Sequence, residues 1–164
     1  MKKILFAVVV LTTAMSCNTK NDYQQIIHNP DLYANTVHEL NQVVMGNNFS
    51  PIVASRNYAY AAIAGYEVTA AGNPALYTSL SKQLHGLDSM PVPVNKENID
   101  FPYASLLAYC AVGEAVTFPE GSMKEYVDSL RGLAKAHGMP KVMMEASEVF
   151  AKQISTRIIG WSKK

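Results

Sequence analysis

Apolar residues recur along this chain at intervals of three and four, with no alternating run long enough for a strand. The pattern therefore predicts an all-α fold. Asn29 and Pro30 have the form of a helix start, and Tyr33, Val37, Leu40 and Val44 follow at helical spacing until Gly46-Asn47-Asn48 ends the run. Ser50 and Pro51 open a second helix, expected to reach about Ala71, with Gly72-Asn73-Pro74 closing it and starting a third. Leu76, Leu80 and Leu84 would line that third helix, which stops at Gly86. The stretch "LDSMPVPVNKEN" is irregular, since Pro91 and Pro93 forbid continuous helix.

Asp100 is placed to cap a fourth helix running from Phe101 to about Phe118, with Glu114 its one charge. Ser122 and Glu125 have the spacing of a capping box for a fifth, whose apolar face is Tyr126, Val127, Leu130 and Leu133 and whose end is Gly138. A sixth begins at Pro140 and keeps Met143, Ala146, Phe150, Ile154, Ile158 and Trp161 in register. No cap follows Trp161, so this last helix reads as cut rather than finished. The expectation is a bundle of about six helices.

The second helix departs from an ordinary amphipathic pattern. Ser50 to Glu67, "SPIVASRNYAYAAIAGYE", is apolar on nearly every side and carries only Arg56 and Glu67 as charges. A helix apolar all round spans a membrane or is surrounded by protein. The ten residues between the two charges are too few for a span, which takes about 20. Residues 51–71 are therefore expected to form a central helix, with the fourth helix as a second candidate for the centre. Arg56 and Glu67 lie about three turns apart on similar faces, too distant to pair directly. Each is expected to find another partner as a structural tie, the alternative being the wall of a polar pocket.

The start of the chain changes the picture further. Lys2 and Lys3 precede the apolar run "ILFAVVVL" and then "TTAMSC", the form of a secretory signal. The placement of Cys17 resembles the lipobox of bacterial lipoproteins, although Ala14 stands where a Leu is usual. That resemblance implies removal of residues 1–16, lipid attachment at Cys17, and a protein anchored in the bacterial cell envelope outside the cytoplasm. Residues 17–28 would serve as a polar tether to a helical domain over 29–164. Of 164 residues, 148 remain after the first 16, enough for one domain. With Lys2 and Lys3 gone, 12 of the 14 basic residues face 13 acidic ones, a balance that argues against a nucleic-acid partner. Cys110 is the single remaining thiol, so no disulfide framework is expected, and its apolar surroundings in "SLLAYCAVGEA" predict burial.

Candidate chemistry is sparse. His28, His38, His85 and His137 fall on separate segments with no pair at helical spacing, so no metal site is expected. His85 and His137, each before a Gly, suit helix C-termini. No phosphate-cradling loop and no nucleophile elbow occurs, and the eight Met residues read as core filler.

The stretch from "NPDLYANTVHELNQVVMGNNFSPIVASRNYAYAAIAGYE" to "LHGL", with "DFPYASLLAYCAVGEAVTFPEG" and "IIGWSKK", resembles the N-terminal helical region of bacterial lipoproteins in the vanadium-dependent haloperoxidase and type 2 phosphatidic acid phosphatase superfamily. The resemblance covers essentially the whole mature chain. It implies a C-terminal catalytic region carrying a Lys with an Arg-Pro pair, a Ser-Gly-His segment and a later Arg and His around phosphate or vanadate. None of these motifs occurs here, where the only arginines are Arg56, Arg131 and Arg157. No catalytic residue is therefore assigned, and vanadate is expected only with a missing C-terminal part. Two functions follow: the scaffold portion of a phosphatase or haloperoxidase-like lipoprotein, inactive alone, or a self-contained envelope lipoprotein that binds a partner or ligand. A scaffold portion would pack against catalytic helices or another helical protein. It should leave apolar surface uncovered, expected around Phe150, Ile154, Ile158 and Trp161 or on a face of the fourth helix.

Overall fold

Asn29 accepts a hydrogen bond from the Asp31 N–H at 2.9 Å with Pro30 in the first turn, so the first predicted helix begins where its cap placed it. In the computed structural model, which describes residues 21–164, the elements are α1 (Tyr23–Ile27), α2 (Pro30–Gly46), α3 (Pro51–Gly72), a 3-10 turn (Lys96–Asn98), α4 (Phe101–Ala115), α5 (Lys124–Ala136) and α6 (Lys141–Ser162). The described residues contain no strand, and the class is the all-α bundle that the periodicity predicts. The signal segment and Cys17 lie outside the described residues.

The centre of the bundle is α4. Asp100 caps it by accepting from the Tyr103 N–H at 2.9 Å. Tyr103 through Cys110 are buried without a break, as are Val112 and Gly113. It packs on α3 and α6 along most of its length, and on α2 through Leu40, which sits against Gly113. The helix over 51–72 is therefore not the central one. Asn57, Ala61, Ala64, Gly65, Glu67, Val68 and Ala70 face inward, but Ile52, Ala59, Ala62 and Thr69 are exposed. Exposing alanine costs little, so an alanine-rich helix can leave one side open where an aliphatic one could not.

Three predicted elements differ from those observed. Residues 74–86 form successive turns, not a helix, and Leu76 is 73% exposed. The cause is Glu67, whose buried carboxylate accepts from the Leu80 N–H at 2.7 Å and from Ser79 Oγ at 2.8 Å. In a helix the Leu80 N–H would be committed to the carbonyl of Leu76. Ser122 is not the cap of α5, which starts one residue later behind the fully buried Met123. The expected tether over 17–28 ends in structure: Tyr23–Ile27 is a helix with Tyr23 and Ile27 buried, tied to α5 by the Tyr23 N–H donating to the His137 carbonyl at 3.0 Å.

Helix α4 ends at Ala115, short of the expected Phe118, and the end of α5 stands where it was expected. Gly138, at φ 83°, ends α5 in a Schellman arrangement, with Gly138 N–H on Lys135 O and Met139 N–H on Ala134 O. Along α6, Phe150, Ile154 and Ile158 are buried against the core, so the uncovered patch expected there is absent. Trp161 is half-buried, and its indole N–H donates to the His85 carbonyl at 2.9 Å.

Candidate functional site

Arg56 and Glu67, the two charges of α3, have separate fates. Arg56 is exposed and donates from Nη2 to the Tyr60 hydroxyl at 2.9 Å, one turn along the same helix. Glu67 is 2% exposed and anchors the turn segment through Ser79 and Leu80. They do not meet, and neither lines a polar pocket with the other.

Two of the four histidines are paired with carboxylates from distant segments. His28 Nε2 lies 2.8 Å from Asp100 Oδ2, linking the α1–α2 junction to the start of α4. His137 Nδ1 lies 2.6 Å from Asp22 Oδ1 at the end of α5. Sequence spacing could not have found either pair, since 72 and 115 residues separate the partners. His38 contacts Gln42, and His85 lies in the turn segment rather than at a helix end. Among the described residues, no three His, Cys, Asp or Glu side chains stand close enough to hold a metal ion.

The arginines do not gather. Arg56 is on α3. Arg131 on α5 donates to Asp128 and to Glu148 of α6, each at 3.0 Å. Arg157 donates to the Ser89 carbonyl. Each guanidinium is committed to a different neighbour, so the described residues do not make the basic cradle a tetrahedral oxyanion such as vanadate needs. Cys110 is buried, and burial pushes its thiol up to about 12, far from a reactive thiolate. Burial likewise raises Tyr33, Tyr103 and Tyr109, the last two of them strongly.

Three surface features remain. A groove of about 1230 Å³ runs between α4, α5 and α6 over Leu107, Ala111 and Ala115. Its banks carry Lys124, Arg131, Glu145 and Glu148, and the Arg131–Glu148 pair ties the two banks together. A smaller crevice of about 420 Å³ lies beside His28, Tyr33, Phe101 and Ser105. There the Ser105 hydroxyl donates to the Gly65 carbonyl and His28 bonds to Asp100; no hydrogen bond joins Ser105 to His28, so the two are not coupled as nucleophile and base. The third feature is the outward face of α3. Ile52 is 77% exposed, Ala59 and Ala62 are open, and the face continues to the half-exposed Tyr66 and the exposed Tyr77, whose rings meet edge-to-face at 6.3 Å. Between Arg56 and Glu67 this face has no charge, and Glu67 points inward. A solvent-facing helix normally presents polar side chains there.

No family profile and no curated protein matches the chain. A solved structure does: the crystal structure of a vanadium-dependent iodoperoxidase, described as the first bacterial one, superposes with a TM-score of 0.75 at 29% identity. The match covers 82% of this chain but 32% of the iodoperoxidase, so the shared unit is about a third of that protein's length. The helical fold is thus haloperoxidase-like.

Proposed function

We propose that this chain is the N-terminal helical scaffold of a lipid-anchored phosphatase or haloperoxidase-like protein of the bacterial envelope, and that the groups doing chemistry lie in helices outside it. One observation carries the reading: the chain shares its fold with a third of an iodoperoxidase, while its arginines are dispersed and its sequence lacks the oxyanion-binding motifs. The scaffold holds no reacting atom; its part is to present packed helices to the catalytic ones. Cys17 would carry the lipid, and vanadate or phosphate would bind only in the remainder.

The test is to read the gene past Lys164 and assay the 164-residue chain and any longer product for phosphatase activity and, with added vanadate, for bromoperoxidase activity. An in-frame continuation with Arg-Pro and Ser-Gly-His segments, active only as the longer product, is the expected result. Activity from the 164-residue chain alone would overturn the reading. For the anchor, Cys17→Ala should release the protein from the membrane fraction.

A second reading is supported by the core itself. Among the described residues no buried side-chain nitrogen or oxygen lacks a hydrogen-bond partner, as in a domain that stands alone. On this reading the chain is a self-contained envelope lipoprotein that binds a partner, and a stop codon directly after Lys164 would favour it.

A further inference from the structure

We infer that one end of the bundle, where α1 meets the close of α5 and the start of α6, is the surface this domain lays against lipid headgroups. This rests on the lipid at Cys17 proposed above and adds which side of the domain that lipid holds to the bilayer.

Chain length carries the argument. A polar tether over residues 17–28 would reach at most about 40 Å, at about 3.5 Å per residue. The structure takes half of that reach away. The Tyr23 N–H donates to the His137 carbonyl at 3.0 Å, the Tyr23 hydroxyl to Met143 Sδ at 3.3 Å, and Asp22 Oδ1 lies 2.6 Å from His137 Nδ1. Tyr23 and Ile27 are buried, and His28 fastens the other end of α1 to Asp100. Six residue steps separate Cys17 from Tyr23, which is about 20 Å at full extension.

The body is longer than that reach. Helix α2 runs about 24 Å from Pro30, just past α1, to Gly46 at the opposite end. That opposite end is marked by Asn47, whose Oδ1 accepts from the Phe118 N–H at 3.0 Å, and by Asn57, whose Nδ2 donates to the Val116 carbonyl at 2.9 Å. Turning it to the bilayer would need more chain than lies between Cys17 and Tyr23. Met45 and Ile52, 65% and 77% exposed, stand at that end and so out of reach. Beside the tie, Val142 is 64% exposed, Pro140 and Lys135 are exposed, and the acids Asp22 and Glu145 are set against His137 and Lys141. Charge points the same way. Residues 114–125, at the opposite end, carry Glu114, Glu120 and Glu125 against Lys124 alone, and Lys124 is bonded to Asp128. An anionic bilayer repels that acidic turn.

The experiment places a fluorophore on one added thiol at a time: Ala136→Cys and Val142→Cys beside the tie, Met45→Cys and Ile52→Cys at the opposite end. Cys110 is buried and stays unlabelled. The full gene product is purified from membranes and returned to vesicles of phosphatidylethanolamine and phosphatidylglycerol that carry a spin label on the headgroup. The expected result is emission roughly halved at 136 and 142 and nearly unchanged at 45 and 52, since the two ends differ in height by about 24 Å. Equal quenching at all four sites, stronger quenching at 45 and 52, or none at any site overturns the inference. If one of these occurs while Cys17→Ala still releases the protein from the membrane fraction, the lipid at Cys17 stands without this orientation. Unsubstituted protein outside the membrane fraction, or Cys17→Ala protein retained in it, removes both.

Discussion

Helices α3 and α4 are both apolar almost throughout, yet they occupy different positions. Tyr103 to Cys110 of α4 turn large side chains toward neighbours on every side, and each finds one. Helix α3 buries alanines, Gly65 and Val68 on its inner side and shows alanines again on its outer side. The size of the residues separates them, because alanine is nearly indifferent to exposure while a leucine or tyrosine gains about 1.5–3 kcal/mol from burial.

The comparison breaks most sharply under a new charge. Ala108→Asp puts an unpaired carboxylate at the centre of α4 and should cost about 4 kcal/mol or more, enough to prevent stable folding of the 164-residue chain. Ala62→Asp on the outer face of α3 should change the unfolding free energy read from urea denaturation by less than about 0.5 kcal/mol. A large loss from Ala62→Asp would mean that the face is already covered within this chain. The inner face of α3 is a different matter. Glu67→Ala removes the acceptor for Ser79 and Leu80 and should cost about 2–3 kcal/mol. Faster amide exchange confined to residues 76–87 would accompany it.

The glycines sharpen the contrast. A Cβ on Gly113 of α4 would lie 2.8 Å from both Leu40 methyls, and Leu40 is fully buried with nowhere to move. Gly113→Ala should destabilise by about 1–3 kcal/mol. A Cβ on Gly65 of α3 meets mainly the Tyr33 hydroxyl, the far end of a half-buried side chain that can swing aside. Gly65→Ala should stay within about 1 kcal/mol, helped by the better helix propensity of alanine. Calorimetry on the pair reads the difference.

A further effect appears only in alkali. The Cys110 thiol, ordinarily near 9, is pushed to about 12 by burial in α4. Between those values the unfolded chain gives up a proton that the folded one keeps. The thiol's contribution is therefore whole below pH 9 and lost as pH rises toward 12. The slope approaches about 1.4 kcal/mol per pH unit, with the raised tyrosines adding in the same direction. Cys110→Ala should make urea midpoints fall less steeply above pH 9.

Where the chain's own neighbours decide the structure, the sequence was readable. Asn29 with Pro30, Asp100 before Phe101, and Gly138 before Pro140 all act within a turn of themselves, and each boundary stands where they put it. Leu76, Leu80 and Leu84 misled because the group that unwinds them, Glu67, sits on another element. The short α1 escaped notice for the same reason: it is held by His137 and by its packing on α5, more than a hundred residues away. The candidate surface was half legible. The uncharged run of α3 signalled a covering, but which side the chain covers itself is settled by contacts that no local pattern contains.

The bond between Glu67 and the turn at Ser79–Leu80 has one more effect. It fixes the number of residues allowed between the end of α3 and that turn, since a carboxylate sealed from water must meet the same two donors every time. Side chains at positions 74–78 are free to drift, but inserting or deleting a single residue there would strand the charge. Length, rather than identity, is what this connection must inherit.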